Sequence, residues 1–441
     1  MQTEKYYDPM YGPIVLPSIV NEMIHRNFEL ARLRNIGMMN FRSMSMLPLT
    51  SISRLEHSIG IAHLVSLSSE KNRSVAARLN DFLCAALYHD INCASFGHAV
   101  EWAIGRHKPY DHEQLGDWVS NKDPLALTES KPIFFGQDCL HRYNYKDRYG
   151  LDFEFINDVK AGQRTCLLNN SGIDLDNVDN VTRMAFHLGM LDDPQLPASL
   201  ARALQLSNDQ KQFLVAESDI HLVERWLSIR SAVYREFIYS REYMAFEHMI
   251  FQLVKQFADQ HGADNVWNLY HYTDERLLWY CAEEKDKHGD KVSTTAQRLL
   301  LHDLPECYFL LRSAQFNRYD EVRSPEFCDV ILRDISSNLE KFAVLSSDER
   351  RSLGVHVTSD DKKTERSITL KVASKSGKDA EQVIGGSARY IVFALLGKHG
   401  LTGAKIDSLS RVTIEVLQAK GLSVETAGFS GNTPDSQISL F

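Results

Sequence analysis

Apolar residues recur at helical spacing through the first 340 positions of the chain. Leu79, Phe82, Leu83, Ala86 and Leu87 follow the periodicity of one helix face, and Asp90 falls on the same stripe. His57, Ile61, Leu64 and Val65 do likewise. A longer amphipathic stretch, Gln210 to Phe257, carries Trp226, Ile229, Val233, Phe237, Tyr243 and Ile250 with charges between them. Two charged segments, 283–291 and 358–366, read as surface loops. After the second, residues 367–372 alternate with period two, as a half-buried strand does. Helix patterns follow near 379–398 and 405–420. The pattern predicts a mainly α-helical body over 1–340 and a small C-terminal α/β region over 345–441. The tail from Ser430 to Gln437 is polar and expected to be mobile.

Composition narrows the classes. The 441 residues suffice for two or three domains, and no fixed-period repeat is present. No apolar run reaches the roughly 18 residues of a membrane span. The N-terminus lacks the apolar core of a signal peptide. The seven cysteines are odd in number and none are spaced CxxC, so neither a disulfide framework nor a thiolate zinc site is expected. The cytoplasm is the compartment this implies. With 49 Lys and Arg against 58 Asp and Glu, the net charge is −9, which excludes a polybasic nucleic-acid coat; no stable nucleic-acid binding is expected.

Histidine is unevenly spread. Six of the 17, at positions 57, 63, 89, 98, 107 and 112, fall within 56 residues, where simple proportion puts about two. His57 lies on the apolar face of its helix and so points inward. Taken singly, such a residue is more often a hydrogen-bonded core histidine than a ligand. His89-Asp90 ends the apolar helix of residues 75–88. That pair is costly to bury unless both groups are partnered or hold a cation, and imidazole and carboxylate are suitable donors for one. A third segment, 174–187, adds carboxylates. If helical, it carries Asp176, Asn180, Arg183 and His187 on one stripe. The alternative is a solvated face, with Asp179 and Arg183 a surface pair of small value. Residues 174–179 lack the Gly and terminal Glu of a calcium loop.

The order His57, His89-Asp90, Asp176 resembles the H…HD…D signature of the HD-domain phosphohydrolases. The flanking strings narrow the resemblance to the deoxynucleoside triphosphate triphosphohydrolases. Residues 54–60, Arg-Leu-Glu-His-Ser-Ile-Gly, look like that family's R-F-E-H-S-L-G. His89-Asp90-Ile91 through Phe96-Gly97-His98 to Glu101 looks like its H-D-[IL]-G-H-G-P-F-S-H run with the acidic residue that follows. Asp111-His112-Glu113-Gln114 is similar to its H-E-Q, and Gly172 through Asp176 to His187-Leu188-Gly189 to its G-I-D-V-D and H-H-L-G. Asp8 to Ile14 and Ala31-Arg32-Leu33-Arg34 resemble its opening. The likeness covers residues 6–250 and fades beyond.

The resemblance implies an HD-domain fold in which His57, His89, Asp90 and Asp176 hold one divalent metal ion, whether Mg, Mn, Fe, Co, Ni or Zn. It implies that His98, oriented by Glu101, and His112 act on the phosphate and leaving group. Arg54, Asn177, Asn180 and Arg230 fall at substrate-binding positions, although Arg230 also reads as a surface residue. Arg34 falls at an effector position. The chain departs from the pattern at Asn92, Cys93, Asn177, Asn180 and Met184, so the metal chemistry is kept while the sugar pocket is altered. The acidic base reader near Arg34 is absent, and so is the glutamine expected near Met38 to Asn40. The implied activity is hydrolysis of a dNTP to deoxynucleoside and triphosphate, which in some relatives depletes nucleotides as antiviral defence. A nucleotidase or phosphodiesterase with the same metal, or a non-catalytic nucleotide sensor, are the alternatives. A homo-oligomer is expected. It would cover Met38-Met39 and the stretch Met44 to Leu49, and His25, Arg26, Arg32 and Arg34 would form an anion site near the contact.

Overall fold

The computed structural model describes residues 5–106, 148–170, 172–269, 272–283, 285–341, 344–373 and 379–427. The protein is mainly helical, with small sheets. It divides into two compact units. One comprises Met1–Val233, Ile250–His302 and Arg366–Gly386; the other comprises Tyr234–Met249, Asp303–Glu365 and Ser387–Phe441.

The first unit is built on helices whose ends the sequence marks. Ser53 caps the Arg54–Ser69 helix by accepting from Glu56 N, and Asp174 caps the Leu175–His187 helix by accepting from Asn177 N at 2.6 Å. The Leu79–Tyr88 helix is apolar nearly all round and is correspondingly buried. The apolar segment read as one helix over 75–88 is broken at Arg78, which separates it from the Arg73–Ala77 helix. Gly60, in the middle of the Arg54–Ser69 helix, lets the Leu175–His187 helix approach closely: a β-carbon there would overlap Asp179 Oδ1 and Arg183 Nη2. A four-stranded sheet runs in the order 205–206, 213–216, 368–373, 380–384. Its central pair, Phe213–Ala216 and Ile368–Ala373, is parallel. The stretch 210–257 thus begins in a strand and continues as two helices, Ile220–Ile238 and Arg241–His261.

The second unit is an antiparallel sheet in the order 425–426, 306–313, 389–397, 354–361. Its apolar core joins Leu311, Val357, Ile391 and Phe393 of the strands to Ile331 and Ile335 of the Pro325–Lys341 helix and Leu409 and Val416 of the Gly403–Ala419 helix. The helix expected over 379–398 is instead two strands, Ala380–Ile384 and Arg389–Gly397. The run Ile391 to Leu396 is short, continuously apolar and followed by Gly397, a pattern that a buried strand shares with a buried helix. The loop expected over 358–366 is entered by the Gly354–Asp361 strand. The segment 283–291 lies partly in the Lys285–Leu300 helix, which is kinked at Gly289 with φ 78°. Among the described residues, no helix is long and apolar enough to cross a membrane.

Candidate metal centre

Three helices of the first unit bring the histidine and aspartate residues together. The Arg54–Ser69 helix supplies His57, the end of the Leu79–Tyr88 helix supplies His89 and Asp90, and the first turn of the Leu175–His187 helix supplies Asp176. One ligand atom each from His57, His89 and Asp90 lie within 4.8 Å of one another. Asp176 Oδ1 is 2.8 Å from His57 Nε2 and 3.7 Å from His89 Nε2.

His89 shows what the cluster is suited to hold. Its Nδ1 lies 2.8 Å from the Ala86 carbonyl oxygen and must donate there. In the neutral ring, Nε2 therefore carries a lone pair. That nitrogen is buried without a hydrogen-bond partner, 3.2 Å from Asp90 Oδ2. A lone pair turned toward carboxylate oxygens is unfavourable unless a cation stands between them. The donor set, imidazoles and carboxylates, suits a divalent ion.

The charges around the cluster are paired. Arg54 Nη1 donates to Asp90 Oδ2 at 2.7 Å, and both side chains are buried. Burial pushes the Asp90 carboxyl up, but the Arg54 guanidinium beside it holds it well below the usual carboxylate range. Both nitrogens of His57 face carboxylates, Nε2 that of Asp176 and Nδ1 that of Asp179 at 2.7 Å. Burial opposes a charge on that ring, yet these hydrogen bonds push its pKa up to about 9. Asp174 is pushed up to about 7 by its burial and by the charge of Asp176.

The alternative of a solvated surface pair does not hold for Asp179 and Arg183, since both are 0% exposed. Arg183 donates through Nε and Nη2 to the two Asp179 oxygens at 2.9 and 3.0 Å. Its Nη1 reaches Asp8 and Glu56, each at 2.7 Å. Tyr11 donates its hydroxyl to Asp179 Oδ1 at 2.7 Å. Asp8, Glu56 and Asp179 come from three separate segments, so no single sequence stripe carries this arrangement. Gly60, a lone glycine within an apolar helix, was the one local sign of a close approach.

Other expected residues are placed as follows. His98 Nδ1 is 2.8 Å from Glu101 Oε2 at the start of the His98–Gly105 helix, and its ring stacks on Trp102. The His98 side chain is 40% exposed, that of Glu101 only 8%. Asn177 turns back to donate to both Asp174 oxygens at 3.0 Å, and Asn180 is half-buried on the same helix. Arg230 is 2% exposed, so a surface role is overturned. Arg34 is exposed at the edge of two pockets of about 280 and 250 Å³. The four basic groups expected to share an anion site do not form one face. Arg32 is buried and donates to the Tyr272 carbonyl, Arg26 pairs with Glu22, and His25 stacks on Tyr6. Met38 and Met39 belong to the core, whereas Met44 and Leu47 are exposed. His112, with Asp111, Glu113 and Gln114, lies outside the described residues, as does the tail from Ser430.

No family model matches the chain. It is similar to the deoxynucleoside triphosphate triphosphohydrolase SAMHD1 homolog of Dictyostelium discoideum, at 26% identity over 197 residues. The match covers 41% of this chain and 36% of that protein's length. This distant, partial similarity supports a relationship to dNTP triphosphohydrolases weakly, and His57, His89 and Asp90 form a group that could hold a metal ion.

Proposed function

We propose that the protein is a metal-dependent HD-type phosphohydrolase that hydrolyses a dNTP to deoxynucleoside and triphosphate. The observation that carries the reading is His89, whose Nε2 is buried, without a hydrogen-bond partner and turned toward Asp90, Asp176 and His57. His57, His89, Asp90 and Asp176 would hold one divalent ion, which when bound supplies Lewis acidity toward a phosphoester and favours ionisation of water. Asp179 keeps His57 in one orientation by accepting at Nδ1, and Ala86 does the same for His89. Arg54 holds Asp90, and its planar fork suits phosphate oxygens. His98, oriented by Glu101 and partly open to solvent, can give a proton to the departing oxygen. His112 shares that role in the reading the motif supports.

Asn180 and Arg230 are the further substrate contacts of this proposal, and Arg34 its effector contact. Exposed Met44 and Leu47 favour a homo-oligomer, which light scattering at micromolar concentration would detect. Depletion of dNTPs, the antiviral use the resemblance implies, would follow from the activity itself. The test is product analysis with metal-loaded protein and a panel of dNTPs. Intact triphosphate is expected. Orthophosphate or a nucleoside monophosphate as product would replace the reading with a nucleotidase or phosphodiesterase, and binding without turnover would replace it with a sensor.

A further inference from the structure

His98 begins its helix directly after a turn that the backbone does not adopt freely. Phe96 has φ 53° and Gly97 φ 50°. A bulky residue at positive φ is strained, and it persists only where the surroundings hold it. Phe96 is fully buried. A side chain at Gly97 would be strained at this φ, and a β-carbon there would meet Asn40 Oδ1 and Arg54 Nη2. The turn is therefore wedged against the guanidinium that holds Asp90.

Two side chains fasten this turn from outside. Asp274 is the first residue of the Asp274–Glu283 helix. An aspartate at a helix start ordinarily serves its own helix, but here both oxygens are committed elsewhere. Oδ1 accepts from Phe96 N at 2.7 Å, and Oδ2 accepts from Gly37 N at 2.8 Å. Asn40, three residues beyond Gly37, accepts from His98 N at 3.2 Å. The same segment pairs with the start of the Arg54–Ser69 helix: Gly37 bridges Ser53, and Arg54 N donates to the Ile36 carbonyl at 3.0 Å. One buried carboxylate thus fixes the backbone before His98 and the backbone beside Arg54 at once.

We propose that Asp274, with Asn40, is a positioning residue that clamps the Phe96–Gly97 turn and so sets the His98 imidazole against the phosphoester. The inference rests on the reading of His98 as a proton-transfer group. Asp274 touches neither substrate nor metal ligands in this scheme; it acts through the backbone. Asp274→Asn is close to isosteric, yet it leaves one backbone N–H facing an amide N–H₂ instead of an oxygen. A displacement of about 1 Å at a catalytic group costs on the order of 10²-fold in rate.

The test is a double-mutant cycle on kcat in the metal-loaded full-length protein, with metal content and KM measured for each variant. Asp274→Asn is expected to lower kcat about 100-fold, with metal content retained, and to lower it less than about threefold when added to His98→Ala, because the group it positions is already gone. If Asp274→Asn does not fold, Asn40→Ala removes only the acceptor for His98 N and is expected to show the same sub-additive loss. Full additivity, or unchanged kcat in the single variant, overturns the positioning role while leaving the phosphohydrolase reading intact. Unchanged kcat in His98→Ala overturns the proton-transfer role and this inference with it. Loss of metal on Asp274→Asn would show that the carboxylate supports the metal cluster, and would overturn the assignment to His98.

Discussion

Replacing Asp179 by Asn changes one atom at the point where four hydrogen bonds converge. Oδ2 takes His57 Nδ1 and Arg183 Nε, and Oδ1 takes Tyr11 Oη and Arg183 Nη2. An amide has one acceptor oxygen, so its N–H₂ group must face Arg183 N–H donors on either side it is placed. Arg183 keeps Asp8 and Glu56, so its charge is not stranded. The cost therefore falls toward the lower end of the range for breaking a buried ion pair, about 3 kcal/mol. Denaturant unfolding of the metal-free protein should show that loss as a lower midpoint at unchanged slope. The same substitution removes the carboxylate that orients His57, so metal affinity should fall roughly 10–100-fold by chelator competition. Asp176→Asn is the contrasting variant. Its side chain is 31% exposed and does not touch Arg183, so it should lose metal at a smaller cost in stability than Asp179→Asn. Full stability and unchanged metal affinity in Asp179→Asn would refute the argument.

Gly60→Ala should destabilise by about 1–3 kcal/mol through overpacking against Asp179 and Arg183, although alanine is favoured by about 0.5–1 kcal/mol in an open helix; a neutral or stabilising result in thermal unfolding would show that the two helices can part. A divalent ion at a hundred times its Kd should stabilise the protein by about 2.7 kcal/mol, and Asp90→Ala should abolish most of that gain; equal thermal shifts in both proteins would remove Asp90 from the ligand set. In the second unit, burial pushes the Glu247 carboxyl up, but the hydrogen bond with His356 at 2.6 Å lowers its pKa below the usual value. A depressed carboxylate stabilises the fold above its unfolded pKa, and the contribution is lost as pH falls through the folded pKa. Glu247→Gln should therefore flatten the acid limb of the stability profile, and an unchanged limb would show that the pair does not contribute to it.

The elements of the centre were legible because their signals are local. The mostly apolar helix before His89-Asp90 and the apolar stripe that carries His57 are local signals, whereas the grouping of His57, His89, Asp90 and Asp176 as one candidate set came from the resemblance of the flanking motifs. His98 and Glu101, three residues apart, are likewise close on any helix. What local periodicity cannot carry is which distant segments meet. Arg183 is neutralised by carboxylates from residues 8, 56 and 179, and a sequence stripe gives the same pattern for a solvated face as for a buried cluster. Asp274 reads as an ordinary helix-start acid until the tertiary structure sets it beneath the Phe96–Gly97 turn. The strand at 368–373 was visible from its alternation, but its parallel pairing with 213–216 was not, since strand partners are chosen by long-range packing. The run at 391–396 was apolar enough for either element, and only its ladder partners in 306–313 and 354–361 decided that it is a strand. Sequence alone set the chemistry of the candidate ligands and the helices that carry them. The fold decided their neighbours, because a buried charge is defined by the groups that surround it in space.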